Sequence, residues 1–305
     1  MDVYRTDRIR NVVLLGHGGS GKTTLVEAMA YLSGITNRLG KVADGNTISD
    51  FDKEEIKRKF SISASIVPIE WGKVKINVLD TPGVVFLGGG VGTYDDVADA
   101  AIIVVSGKAG VQVGTQKAWA LCERYNLPRM IFVTDMDIDN VSYRKVVEQL
   151  QELYGKRIAP LHMPIRENEK FVGYINIVKN KGRRYVDKAG KEECEIPEYS
   201  REYLEKYREV LMESVAETSE EFMDRYFAGE EFSVAEISWF YPICWMTLWD
   251  ISPILQREKK PDWIRAAELC MTRTMISRRQ EAPLSLKPSR ILSWENILCS
   301  RFVPA

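Results

Sequence analysis

Gly16-His17-Gly18-Gly19-Ser20-Gly21-Lys22-Thr23, followed by Thr24, is the stretch that decides the fold. Its spacing, Gly-x4-Gly-Lys-Thr, is that of a phosphate-binding loop. The apolar run Asn11–Leu15 precedes it, and Lys22–Ser33 follows with Leu25, Met29 and Leu32 on one helical face. Strand, loop and helix in that order separate a phosphate loop from a chance glycine turn. Glycines let successive N–H groups turn toward phosphate oxygens, and the helix N-terminus adds partial positive charge. Lys22 would reach the β and γ phosphates, and Thr23 would offer its hydroxyl to magnesium. His17 lies inside the loop, where backbone packing fits it better than chemistry.

Working outward, Val74–Leu79 and Ala101–Val105 are β-rich, 115–126 reads as a helix, Arg129–Thr134 as a third strand after the loop, and 142–154 as an amphipathic helix. Strands apolar on both faces and alternating with helices predict a mostly parallel, doubly wound α/β sheet covered on both sides. From about 157 short strand-like pieces (RIAPLHMPI, FVGYINIV, RRYVDKAG) precede a charged helical stretch from Glu202 to about Phe227. The expected organisation is a nucleotide-binding domain over 1–156, an α+β insert over 157–238 and a tail over 239–305.

Two further motifs sit at strand ends. Asp80-Thr81-Pro82-Gly83 follows VKINVL, where a carboxylate can hold magnesium through water and a glycine N–H can sense the γ phosphate. In isolation DTPG is a turn. Thr134-Asp135-Met136-Asp137 ends the third strand, where a GTPase places an aspartate against guanine, and Asp137 fits that role. The lysine expected beside it is replaced by Asp135, and an ordinary acidic loop is the competing reading.

Composition narrows the classes. The chain has 305 residues, 45% of them hydrophobic, enough to bury a core. Forty-two basic residues balance 43 acidic ones, so no global field draws it to nucleic acid, and no sequence-specific nucleic-acid binding is expected. The N-terminus leads straight into a strand rather than resembling a signal peptide, and no run of about 18 apolar residues occurs, so no membrane partner is expected. The five cysteines never form CxxC, which argues against a zinc site or disulfide framework and suits the cytoplasm.

Taken together, IRNVVLLGHGGSGKTTL, the SISAS segment, VLDTPG, ADAAIIVVSGKAGVQVGT and RMIFVTDMD resemble the G domain of elongation factor G, and more closely its elongation factor G-like paralogues. APLHMPIRENEKFVGYINIV and the stretch from Tyr207 to Glu231 are similar to the subdomain that this family carries inside that domain. The resemblance spans about residues 9–238. It implies GTP/GDP as ligand, Mg²⁺ as cofactor, and ribosome-dependent hydrolysis that drives translocation in the full-length factor. Ser61 matches the threonine that ligates magnesium in the GTP state. Directly after DTPG the family has a water-orienting histidine, or tyrosine in some paralogues; here it is Val84, which can do neither. Val85–Asp96 has lost the acidic pattern usual there, and hydrolysis is expected to be slow. Beside this GTPase reading stand a GTP-binding module without turnover and, against Asp137, an unrelated P-loop ATPase or kinase.

The tail is compositionally foreign: it holds none of the 21 glycines and five of the seven tryptophans. The final guanine-contacting loop, expected soon after the insert, is not recognisable. Residues 263–280, back-translated and regrouped by one nucleotide, can read LDSSSGTVYDEDYDFSKA; residues 288–304 can read TIADPFLGKYSLFKVCS, which resembles the start of elongation factor G's second domain. On that reading 239–305 is an out-of-frame translation following a deletion near Ser238; a divergent C-terminal domain is the alternative.

Overall fold

The structure is a computed structural model that describes residues 4–71, 74–83, 97–168, 170–186, 190–234 and 236–237. The expectations for Val84, the segment after it and the tail 239–305 lie outside the described residues.

Nine strands and six helices run in the order β1 (Ile9–Gly16), α1 (Lys22–Leu32), α2 (Lys53–Arg58), β2 (Ser65–Trp71), β3 (Val74–Asp80), β4 (Ala100–Ser106), α3 (Val113–Arg124), β5 (Arg129–Thr134), α4 (Tyr143–Tyr154), β6 (His162–Glu167), β7 (Lys170–Asn176), β8 (Lys181–Val186), β9 (Gly190–Cys194), α5 (Glu198–Ala216) and α6 (Glu220–Phe227) among the described residues. The first five strands form one sheet in the order β2-β3-β1-β4-β5. All its pairs are parallel except β2 with β3. Strand β2 did not stand out in the sequence: it alternates buried and exposed residues and carries Pro68, which suits the edge it occupies.

The two-residue period of β1 divides the core. Val12 and Leu14 pack with Leu25, Met29 and Leu32 of α1, whereas Val13 and Leu15 pack with Ala118, Trp119 and Cys122 of α3 and with Val146 and Leu150 of α4. Helices therefore cover both faces, as the doubly wound pattern predicts.

The second sheet, β6-β7-β8-β9, is antiparallel throughout. Leu204, Tyr207, Leu211 and Val215 of α5 pack with Ile165 and Ile175 of this sheet and with Val147 of α4. Phe171 and Tyr174 enter the core of the first sheet, so the insert is anchored through side chains shared with the body. The charged stretch expected as one helix from Glu202 is two: α5 begins earlier, and Ser219, whose hydroxyl accepts from the Phe222 N–H, restarts the chain as α6.

Candidate functional site

Register brings the motifs to one edge of the sheet. Leu14 lies opposite Asp80, Gly16 opposite Val104 and Ser106 opposite Thr134, so the phosphate loop, DTPG and the Thr134–Asp137 turn leave from the carboxyl ends of β1, β3 and β5, with β4 between β1 and β5. That edge is where ligands bind in open α/β sheets.

Helix α1 starts directly after Gly21, which takes φ 89°, and no side chain caps its first turn. Its leading N–H groups thus face the loop, the arrangement that favours an anion. Gly21 passes against the Thr134 side chain, leaving 3.2 Å to an added Cβ. The single hydroxyl proton of Thr134 in turn is shared between the carbonyls of Ser20 at 2.9 Å and Val105 at 3.3 Å, tying the loop to β4 and β5. Thr81 donates to the Leu14 carbonyl at 2.6 Å and ties DTPG to β1. The His17 ring accepts the Gly114 N–H at 3.3 Å and so links the loop to the start of α3.

Lys22 is buried, and its ammonium donates to the carbonyls of Gly16 at 3.3 Å and His17 at 2.8 Å. Burial lowers its pKa to about 8, with Asp80 pulling the other way. Asp80 is buried on the strand end with both carboxylate oxygens lacking a partner of hydrogen-bond geometry. Burial pushes its pKa up to about 6, opposed by the nearby Ser49 and Thr23 hydroxyls and by Lys22, and reinforced by Asp50. An ionised carboxylate without partners in such a place is costly to the bare protein.

The segment between α1 and β2 supplies the remaining groups. Ser61 Oγ lies 3.0 Å from Thr23 Oγ1 and donates to Asp50 Oδ1 at 2.7 Å. Ser49 is buried beside Asp80 with its hydroxyl unpartnered, as is that of Ser20 in the loop. Two hydroxyls, one orphaned carboxylate and a buried ammonium fit a magnesium ion carrying phosphates: that ion takes oxygen ligands and usually needs only a few from the protein. Among the described residues no group of three or more His, Cys, Asp or Glu side chains is placed to hold a metal ion by itself.

Gly83 lies against the loop: a Cβ built on it would lie 2.6 Å from both N and Cα of Gly18. Only a glycine fits there without a shift. Gly16, Gly19 and Gly21 have positive φ, and Thr24 follows within the first turn of α1.

At the end of β5 the two aspartates of the Thr134–Asp137 turn part company. Asp135 takes φ 58° and accepts the Ser106 hydroxyl at 2.5 Å, whereas Asp137 is exposed in the following turn. Asp135, the residue that breaks the expected motif, is thus tied into the strand end and leaves Asp137 turned to solvent.

Ser49, Asp50 and Glu55 belong to none of the sequence motifs. The signal for the last was present: Asp52 and Glu55 form a capping box at the start of α2.

The model of the family described as elongation factor Tu GTP binding domain matches residues 7–257. A crystal structure from Thermus thermophilus superposes with a TM-score of 0.69 at 36% identity, covering 76% of this chain and 35% of that one. A bacterial selenocysteine-specific elongation factor, EF-Sec, matches at 21% identity and a TM-score of 0.40, over 48% of this chain and 24% of that one. The chain thus spans about a third of the length of the Thermus protein. Among the described residues no helix is long and apolar enough to cross a membrane.

Proposed function

We propose, from the premise that the chain belongs to the elongation factor Tu GTP-binding domain family, the translational GTPases, that it is a Mg²⁺-dependent binder of GTP and GDP whose own hydrolysis is impaired. The observation that carries this reading is the convergence on one sheet edge of Lys22, Thr23, Ser61 and an Asp80 carboxylate buried without a partner. Residues 16–24 would wrap the phosphates with backbone N–H groups, and Lys22 would exchange its two carbonyl partners for phosphate oxygens. Thr23 and Ser61 would bind the magnesium ion directly and Asp80 would hold it through water. The ion would supply charge neutralisation across the β and γ phosphates. Gly83, which lies against Gly18, would offer its N–H to the γ phosphate, and Asp137 would accept from the guanine edge.

Turnover needs a group that orients the attacking water. Val84 stands where the resembled factors carry histidine, and its side chain neither donates nor accepts a proton. Slow intrinsic hydrolysis without stimulation by ribosomes follows. Association with the ribosome in the cytoplasm is the partner reading that the family supports. A binding module that occupies a partner without turning over is favoured by the same valine.

The test is a multiple-turnover GTPase assay on the full chain, with and without ribosomes. Bound nucleotide with hydrolysis that ribosomes leave unchanged is expected. Robust stimulated turnover would remove the claim that Val84 disables the site.

A further inference from the structure

Helix α2 meets the protein mainly through one polar side chain. Of its six residues only Glu55 is buried, while Ile56 and the neighbouring Phe51, Phe60 and Ile62 are exposed. Its one aliphatic side chain, Ile56, is only partly covered, beside Gly45. Its inward contact is a carboxylate: Glu55 Oε1 accepts the N–H groups of Ile62 and Ser63, both at 2.9 Å, and Oε2 accepts the Asp52 N–H at 3.4 Å. One side chain therefore joins the start of α2 to the two peptide groups directly after Ser61.

Ser61 is gripped on both sides. Asp50 takes its hydroxyl from the segment before α2, and Glu55 fixes the backbone on the segment after it. Strand pairing resumes only at Ser65, opposite Asp80. Between the end of α2 and that point, Glu55 sets the direction of the chain that carries the Ser61 hydroxyl to within 3.0 Å of Thr23. A buried carboxylate bonded to three N–H groups of one short segment is a strong local constraint, because charge-assisted hydrogen bonds outweigh neutral ones.

We infer that Glu55 is a positioning residue that holds Ser61 at the magnesium side of the nucleotide site, and so raises affinity for the triphosphate over the diphosphate. The inference rests on the reading of Ser61 as a magnesium ligand in the GTP-bound state. Without Glu55 the competent arrangement becomes a minor population, and affinity for the triphosphate falls by that fraction. A diphosphate, which does not call on Ser61, is bound as before.

The experiment compares GDP with a non-hydrolysable GTP analogue on the full chain in Mg²⁺, for wild type, Glu55→Ala, Glu55→Gln, Ser61→Ala and the Glu55→Ala/Ser61→Ala double variant. Glu55→Ala is expected to weaken the analogue about tenfold and GDP less than twofold. Glu55→Gln, which keeps an oxygen for Ile62 and Ser63, should recover most of the loss. In the Ser61→Ala background the Glu55 change should add almost nothing. Should Glu55→Ala not fold, Glu55→Asp, which withdraws the carboxylate by one methylene, is expected to give the same selective loss. An equal loss of both nucleotides, or an additive double variant, would overturn the positioning role. If Ser61→Ala itself leaves the analogue unaffected, the magnesium reading of Ser61 fails first, and the inference with it.

Discussion

Replacing Asp80 by asparagine should make the nucleotide-free protein more stable while removing its response to magnesium. At neutral pH the fold holds this carboxylate ionised although its pKa has moved from 3.8 to about 6. A displacement of that size corresponds to about 3 kcal/mol of stability forgone. Asparagine has nearly the same shape and carries no charge, although its amide meets the same shortage of partners. A net gain of about 1–3 kcal/mol is therefore expected, the lower figure allowing for an unsatisfied amide.

The sign with pH follows. A carboxyl whose pKa is raised on folding favours the folded state below its unfolded value, and that advantage is lost as pH climbs from 3.8 to about 6. Nucleotide-free wild type should lose stability across that window, and Asp80→Asn should lack this contribution. Urea unfolding monitored by circular dichroism from pH 4 to 8, in EDTA, reads both effects. With Mg²⁺ and GDP at about a hundredfold over Kd the wild type should gain about 2.7 kcal/mol. In the variant the gain should be the same with and without Mg²⁺. An Asp80→Asn protein that is less stable at pH 7, or that keeps the wild-type slope between pH 4 and 6, would refute the claim that Asp80 is a buried charge awaiting a cation.

Other perturbations test neighbouring parts of the site. Lys22, lowered by burial to about 8, should regain its proton when phosphates arrive, so calorimetric titrations at pH 8 in buffers of different ionisation enthalpy should reveal proton uptake on GDP binding; buffer-independent heats would contradict this. Gly83→Ala forces a methyl group against the Gly18 backbone and should lower affinity for the GTP analogue at least tenfold, measured by equilibrium dialysis; unchanged affinity would show that DTPG does not close on the loop. Thr134→Val removes the donor to the Ser20 and Val105 carbonyls inside the protein and should cost about 1–3 kcal/mol in urea unfolding, with a parallel fall in nucleotide affinity.

The parts of the fold that were legible are those whose information is local. The phosphate loop, the strands on either side of it and the DTPG turn each carry their pattern within about ten residues, and all landed on one sheet edge. Strand β2 was hidden because its burial alternates while its residue types do not: Ile66 stands on the exposed face, and Pro68 is tolerated only at the sheet edge. The division of the last charged stretch into α5 and α6 depends on a hydroxyl cap at Ser219 that the helical period passes over. At the site, Ser61 could be matched by resemblance, yet the groups that hold it could not. Asp50 meets it across eleven positions and Glu55 acts on the peptides beyond it, both through a loop with no period of its own. The pairing of Asp135 with Ser106 joins the ends of two strands and has no trace in either motif alone.

A guanine-nucleotide site that depends on magnesium should show itself when a fluorescent GDP analogue is displaced from the purified full chain with GTP, GDP or ATP, in Mg²⁺ and in EDTA. Displacement by GTP and GDP is expected, with ATP at least a hundredfold weaker, and weaker binding in EDTA for wild type but not for Asp80→Asn. Equal displacement by ATP, or affinity indifferent to magnesium in wild type, would contradict it.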